Sequence, residues 1–204
     1  MRSRRPHLRQ IRRCAELPTE SYQTLCGSCW KRLAQVEQGQ ARDAALQKMA
    51  ECYDRAVPKA SKDGALYPQL QWAAAGIARK HRSGRALPPK LRSIVGEIAE
   101  MPKDLDDFWR DIAAIDAEIL GAVLQGSLTR DEELKLLELY RNAWRFGGSP
   151  LKLMSVLEQF AFLVDVLADA PKAMIPLTEA LGRMRSTLES HLRSSSRGVY
   201  RAVS

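Results

Sequence analysis

Apolar residues recur at helical spacing in almost every segment of this chain, and no segment alternates apolar and polar residues as a half-buried strand does. Glycine and proline punctuate these segments, because proline cannot continue a helix and glycine commonly follows a last turn. Hydrophobic residues make up 45% of the chain and aromatic residues only 6%. Such a composition can bury a core and favours helices. The pattern predicts an all-α protein of about seven to nine helices, stacked as antiparallel hairpins.

The first predicted helix runs from Thr19 or Glu20 to Gln38, and Gly39 is expected to stop it. A second helix from about Arg42 to Val57 completes an αα-hairpin, which Pro58 closes. The first helix carries a row of apolar residues on one side: Tyr22, Leu25, Cys26, Cys29, Leu33 and Val36.

Later helix starts and ends are predicted from local signals. Thr129 and Glu132 have the spacing of a capping box, and Ser149 before Pro150 favours another helix start. Acidic residues favour a helix N-terminus at three further positions: Asp104, Asp106 and Asp107. The predicted organisation is a basic N-terminal segment (1–18), helical hairpins (19–101), a C-terminal helical layer (102–195) and a flexible tail (196–204).

The net charge of +8 is concentrated at the two ends of the chain. Residues 1–13 contain six Arg and no acid, and residues 183–201 contain five Arg and one Glu. The rest of the chain is close to neutral. These Arg-rich ends are either solvated segments or arms that bind a polyanion such as nucleic acid.

The chain has no apolar run long enough to cross a bilayer, and no apolar stretch follows its charged N-terminus. We therefore expect a cytoplasmic protein with no membrane partner. In that reducing compartment the cysteines are expected as thiols or metal ligands rather than as disulfides. There are four of them: Cys14, Cys26, Cys29 and Cys52.

The stretch from Leu25 to Ala34 resembles the first helix of a tetratricopeptide repeat. Cys26 stands at the usual leucine, Gly27 at the small position where two helices approach closely, and Trp30 at the usual aromatic residue. The second helix matches at Met49, Tyr53 and Ala56. The resemblance covers one divergent repeat at about 19–60, roughly a fifth of the chain.

The spacing departs from the repeat consensus. The link from Trp30 to Met49 is about ten residues longer, so that either the helices are lengthened or the turn is enlarged. Residues 66–72 and 140–149 also look like C-terminal parts of large bacterial repeat-containing proteins. In those proteins a helical region is joined to an effector domain, which implies that this chain belongs to a larger bacterial effector or regulatory system.

The resemblance implies a stack of helices with a TPR-like α-α superhelix and a concave surface for a protein or peptide partner. The first-helix residues facing that partner would be Ser21, Thr24, Ser28, Lys31 and Arg32. Lys31 and Arg32 would favour an acidic or C-terminal carboxylate ligand. The alternative is that these residues form an ordinary solvated face.

Catalytic and metal sites have little support in the sequence. Cys26 and Cys29 form a Cys-x-x-Cys inside a predicted helix rather than after a strand, which favours packing of the thiols in the core. A zinc site that recruits His7 and Cys14 lacks a second Cys-x-x-Cys. We therefore expect a non-enzymatic interaction or scaffold module without a cofactor, with nucleic-acid binding through the Arg-rich ends as the alternative.

Overall fold

The computed structural model describes residues 19–60, 64–84, 86–102 and 107–201, with side chains as far as 193. Over these residues the backbone forms eight α-helices and no strand, so the prediction of an all-α protein is confirmed. The helices are α1 (Glu20–Val36), α2 (Gly39–Ala56), α3 (Leu66–Ser83), α4 (Pro89–Ala99), α5 (Phe108–Gln125), α6 (Arg130–Gly147), α7 (Pro150–Leu167) and α8 (Ile175–Arg201). None of the described helices is long and apolar enough to span a membrane.

The chain divides into two compact units after Ile98. In the first unit α1 packs on α2, and α2 packs on α3. In the second unit α5 packs on α6, α7 on α8, and α6 also on α8. Each unit has its own apolar core. The largest buried side chains are Leu46, Met49, Tyr53, Ile77 and Leu91 in the first unit, and Ile115, Leu120, Phe160, Phe162, Leu167, Leu177 and Leu181 in the second.

The turn between α1 and α2 contains only residues 37 and 38, so the long interval from Trp30 to Met49 arises from lengthened helices rather than from an enlarged turn. Gly39 begins α2, with a φ of 53° that glycine adopts without strain. The predicted start at Arg42 is therefore wrong. The buried Arg42 guanidinium donates to the carbonyl oxygens of Glu37 at 2.6 Å and Gln35 at 3.4 Å. A side chain of α2 thus supplies hydrogen bonds to carbonyl groups at the C-terminal end of α1.

Local signals set most of the other helix ends. Gly84 and Gly126 follow α3 and α5 in the left-handed conformation that ends many helices. Asp107 caps α5 by accepting from two backbone amides, whereas Asp104 and Asp106 lie outside the described residues. Ser149 caps α7.

The capping box of α6 is confirmed. Thr129 Oγ1 accepts from the backbone N–H of Glu132, whose carboxylate accepts in return from the backbone N–H of Thr129. The last helix, α8, runs further than predicted. Its backbone is helical to Arg201 and so passes through the Ser-rich stretch where we expected it to end, because serine and arginine do not break a helix that is already formed. Residues 1–18 and 202–204 lie outside the described residues.

Candidate partner-binding surface of the first helix

The five residues predicted to contact a partner lie on α1, but they differ in solvent exposure. Ser21 and Arg32 are exposed, whereas Thr24, Ser28 and Lys31 are half-buried. Thr24 Oγ1 donates to the Glu20 carboxylate at 3.0 Å, which stabilises the first turn of the helix. The five residues therefore do not form one uniformly exposed row.

Ser28 is held in an interhelical contact. Its hydroxyl donates to the carbonyl oxygen of Thr24 at 3.0 Å, so it accepts from the Tyr53 hydroxyl of α2, also at 3.0 Å. Tyr53 is fully buried, and burial raises its pKa. This contact gives Ser28 a structural role between α1 and α2.

Tyr67 extends this contact to the surface of α3. Its hydroxyl lies 3.5 Å from that of Tyr53, and the two rings pack edge to face with centroids 6.0 Å apart. The Tyr67 side chain is 47% exposed. The spacing of residues along α1 could not reveal this tyrosine, because the contact depends on where α3 packs.

Gly27 allows α1 to approach α2 closely. A Cβ atom at this position would lie 2.6–2.8 Å from three atoms of the Tyr53 ring, which is too close for any real contact. The small residue is therefore required by the packing itself, at the position where the repeat resemblance expects one.

An exposed apolar row runs along the neighbouring flank of α1. Tyr22, Leu25 and Val36 are 44%, 52% and 74% exposed, and the residues between them on that flank are half-buried. We call this row the α1 stripe: Tyr22, Leu25, Cys29, Leu33 and Val36, each three or four residues after the last. The sequence grouped these residues with Cys26, but the structure buries Cys26 against α2 and leaves the stripe facing outward.

Arg32 and Ser21 lie beside the stripe. They are seven residues after and four residues before Leu25, positions that fall next to it on a helical surface. A partner covering the stripe would therefore meet an exposed guanidinium along its edge.

The two buried thiols of this hairpin face each other. The sulfur atoms of Cys26 on α1 and Cys52 on α2 are 2.8 Å apart, and both side chains are buried. The hydrogen bond to Cys52, together with burial, raises the pKa of Cys26. Among the described residues no group of three His, Cys, Asp or Glu could hold a metal ion, and both His7 and Cys14 of the zinc hypothesis lie outside them.

The Arg-rich ends are only partly described. Arg183 donates to the buried Glu133 at 2.8 Å, and Arg185 donates to Glu189 at 2.9 Å, so these two arginines already have acidic partners within the chain. The side chains of Arg197 and Arg201, and all of residues 1–13, lie outside the described part.

Comparison with known proteins gives no further guide. No protein-family model matches the chain, no curated protein is significantly similar to it, and no solved structure matches its fold significantly. What this chain does has to be inferred from its own side chains and surfaces.

Proposed function

We propose that this chain is a non-enzymatic protein-interaction module and that a partner docks on the α1 stripe. The observation that carries the proposal is the exposure of Tyr22, Leu25 and Val36 along one flank of a single helix. Each is about half exposed or more, so covering all three contributes roughly 3 kcal/mol to binding. An apolar row of this length is typical of helix-to-helix docking.

The partner we propose is an amphipathic helix with acidic residues beside its apolar face. The α1 stripe spans 15 residues from Tyr22 to Val36, and the rise between its two ends is about 21 Å of helix. A partner helix of four turns covers that length with apolar residues three and four positions apart. A carboxylate at the edge of its apolar face would pair with the exposed Arg32, as the sequence predicted for an acidic ligand.

A repeat-like stack of α1, α2 and α3 belongs to the same proposal. Its support is the packing of each helix on the next, together with the close approach of Gly27 to Tyr53. A cytoplasmic location and membership of a larger bacterial effector or regulatory system are further parts of it.

Site-specific photocrosslinking in cells tests the docking surface. A photoreactive phenylalanine analogue replaces Leu25 in one variant and Leu134 in a matched control. Both leucines lie on helices and are 52% and 50% exposed, so the two probes sample solvent equally. We expect position 25 to give a discrete crosslinked partner whose yield falls when Arg32→Glu is added. The same products at both positions, or no product at position 25, would contradict the proposal.

A further inference from the structure

We propose that Cys26 and Cys52 form a reversible disulfide that fastens α1 to α2, a modification site that does not depend on the proposed docking function. The sulfur atoms are 2.8 Å apart although the residues are separated by 26 positions in sequence. Both side chains are almost completely buried, with exposed fractions of 0% and 1%. The hairpin therefore brings two thiols from different helices into direct contact.

Cys29 is a poorer partner for Cys26 despite being close in sequence. Within a helix, residues three apart have Cβ atoms about 5–6 Å apart. A relaxed disulfide needs a Cβ separation of about 3.5–4.5 Å. Cys26 and Cys29 both lie well inside α1, so a bond between them would distort the helix. The bond across the hairpin is thus favoured over the bond within the Cys-x-x-Cys.

The surroundings assign different roles to the two thiols. The hydrogen bond from Cys26 and the nearby Arg55 guanidinium lower the pKa of Cys52, although burial opposes them. Cys26 is shifted in the opposite direction by the same hydrogen bond. Arg55 lies on α2 with Cys52 and therefore stays beside it when α1 separates, so Cys52 is the first nucleophile and Cys26 the resolving thiol.

A small disulfide such as glutathione disulfide is the oxidant. The Cys52 thiolate attacks one sulfur of glutathione disulfide, the bond between the two glutathione sulfurs breaks, and one glutathione thiolate leaves and takes up a proton. Cys26 then loses its proton and attacks the Cys52 sulfur of the mixed disulfide, which releases the second glutathione. Two protein thiols become one disulfide, and one glutathione disulfide becomes two glutathione thiols. Because both sulfurs are buried, the first attack requires a local separation of α1 from α2.

The test compares two double variants of the full chain in glutathione redox buffers. C14S/C29S retains only Cys26 and Cys52, whereas C14S/C52S retains only Cys26 and Cys29. After acid quenching and alkylation, mass spectrometry measures the oxidised fraction at each ratio of glutathione to its disulfide. We expect the C14S/C29S pair to oxidise with an equilibrium constant at least about tenfold larger, because its sulfurs are already in contact. Equal constants, or a larger constant for C14S/C52S, would overturn the proposal.

Two further measurements make the result independent of folding defects in either variant. Helical circular dichroism checks that each variant is folded, and unfolding of C14S/C29S should shift to a higher temperature on oxidation because the bond closes a loop. If a variant is unfolded, peptide mapping of the oxidised wild-type chain decides. A Cys26–Cys52 peptide pair supports the proposal, and predominant pairs containing Cys14 or Cys29, or no disulfide at all, overturn it.

Discussion

Gly27→Ala tests the close packing of α1 on α2. The added methyl group would lie 2.6–2.8 Å from the buried Tyr53 ring, whose hydroxyl is also held by Ser28. Forcing this contact costs about 1–3 kcal/mol through displaced side chains, and loss of the Ser28 hydrogen bond costs about 1 kcal/mol more. The better helix propensity of alanine returns about 1 kcal/mol. The net expectation is a loss of about 1–3 kcal/mol in the free energy of unfolding.

The matched control is Gly182→Ala. Gly182 lies within α8, and a Cβ there would meet nothing within 4 Å, so the substitution should stabilise the chain by about 0.5–1 kcal/mol. Urea unfolding followed by circular dichroism measures both variants under the same conditions. If Gly27→Ala raised stability as Gly182→Ala does, the Tyr53 ring would have to move freely. Close packing of α1 on α2 at Gly27 would then be wrong.

Two further substitutions test buried polar groups of the second unit by urea unfolding. Burial raises the pKa of Glu133, but the arginines bonded to it outweigh burial and hold it below its usual value. Glu133→Gln should therefore lower the free energy of unfolding by about 1–2 kcal/mol at neutral pH. This difference should vanish as the pH falls through the pKa of Glu133 in the folded chain. The control Glu138→Gln, at an exposed position, should change the free energy of unfolding by less than about 0.5 kcal/mol. Burial raises the pKa of Tyr140, whose hydroxyl donates to Asp116. The neutral tyrosine therefore stabilises the folded chain below the unfolded-state pKa of about 10, and this contribution is lost as the pH rises above that value. Tyr140→Phe should lower the free energy of unfolding by about 1 kcal/mol at neutral pH, and this free energy should then fall less steeply above pH 10 than in the wild type. An equally steep fall in both proteins would contradict the role given to Tyr140.

Features that depend on neighbours in sequence could be predicted, and features that depend on packing could not. The capping box of Thr129 and Glu132 is formed by residues within one turn, so its spacing alone identified it. The sequence predicts a start of α2 at about Arg42 instead of Gly39, because the hydrogen bonds of Arg42 to the end of α1 appear only once the hairpin has formed. The glycine at position 39 predicts a turn between the two helices. Its presence alone does not show that Gly39 begins α2 instead of ending α1.

The candidate surface shows the same division. Helical spacing placed Ser28 on α1, but only the packing of α2 shows that Tyr53 engages its hydroxyl. The helical spacing of apolar residues predicts the apolar face of α1, but it does not show which part of that wide face packs against α2. The structure buries Cys26 and exposes Leu25, and this difference moves the proposed contact surface from a polar row to the α1 stripe.

The most direct test of this account is the affinity of the chain for the partner captured at position 25, measured by calorimetry. Leu25→Asp should weaken binding at least about tenfold, equivalent to about 1.4 kcal/mol, because a charge would face the apolar side of the partner. The equally exposed Leu134→Asp should leave the affinity within about twofold of wild type. If both variants bound with wild-type affinity while remaining helical, partner docking on the α1 stripe would be wrong.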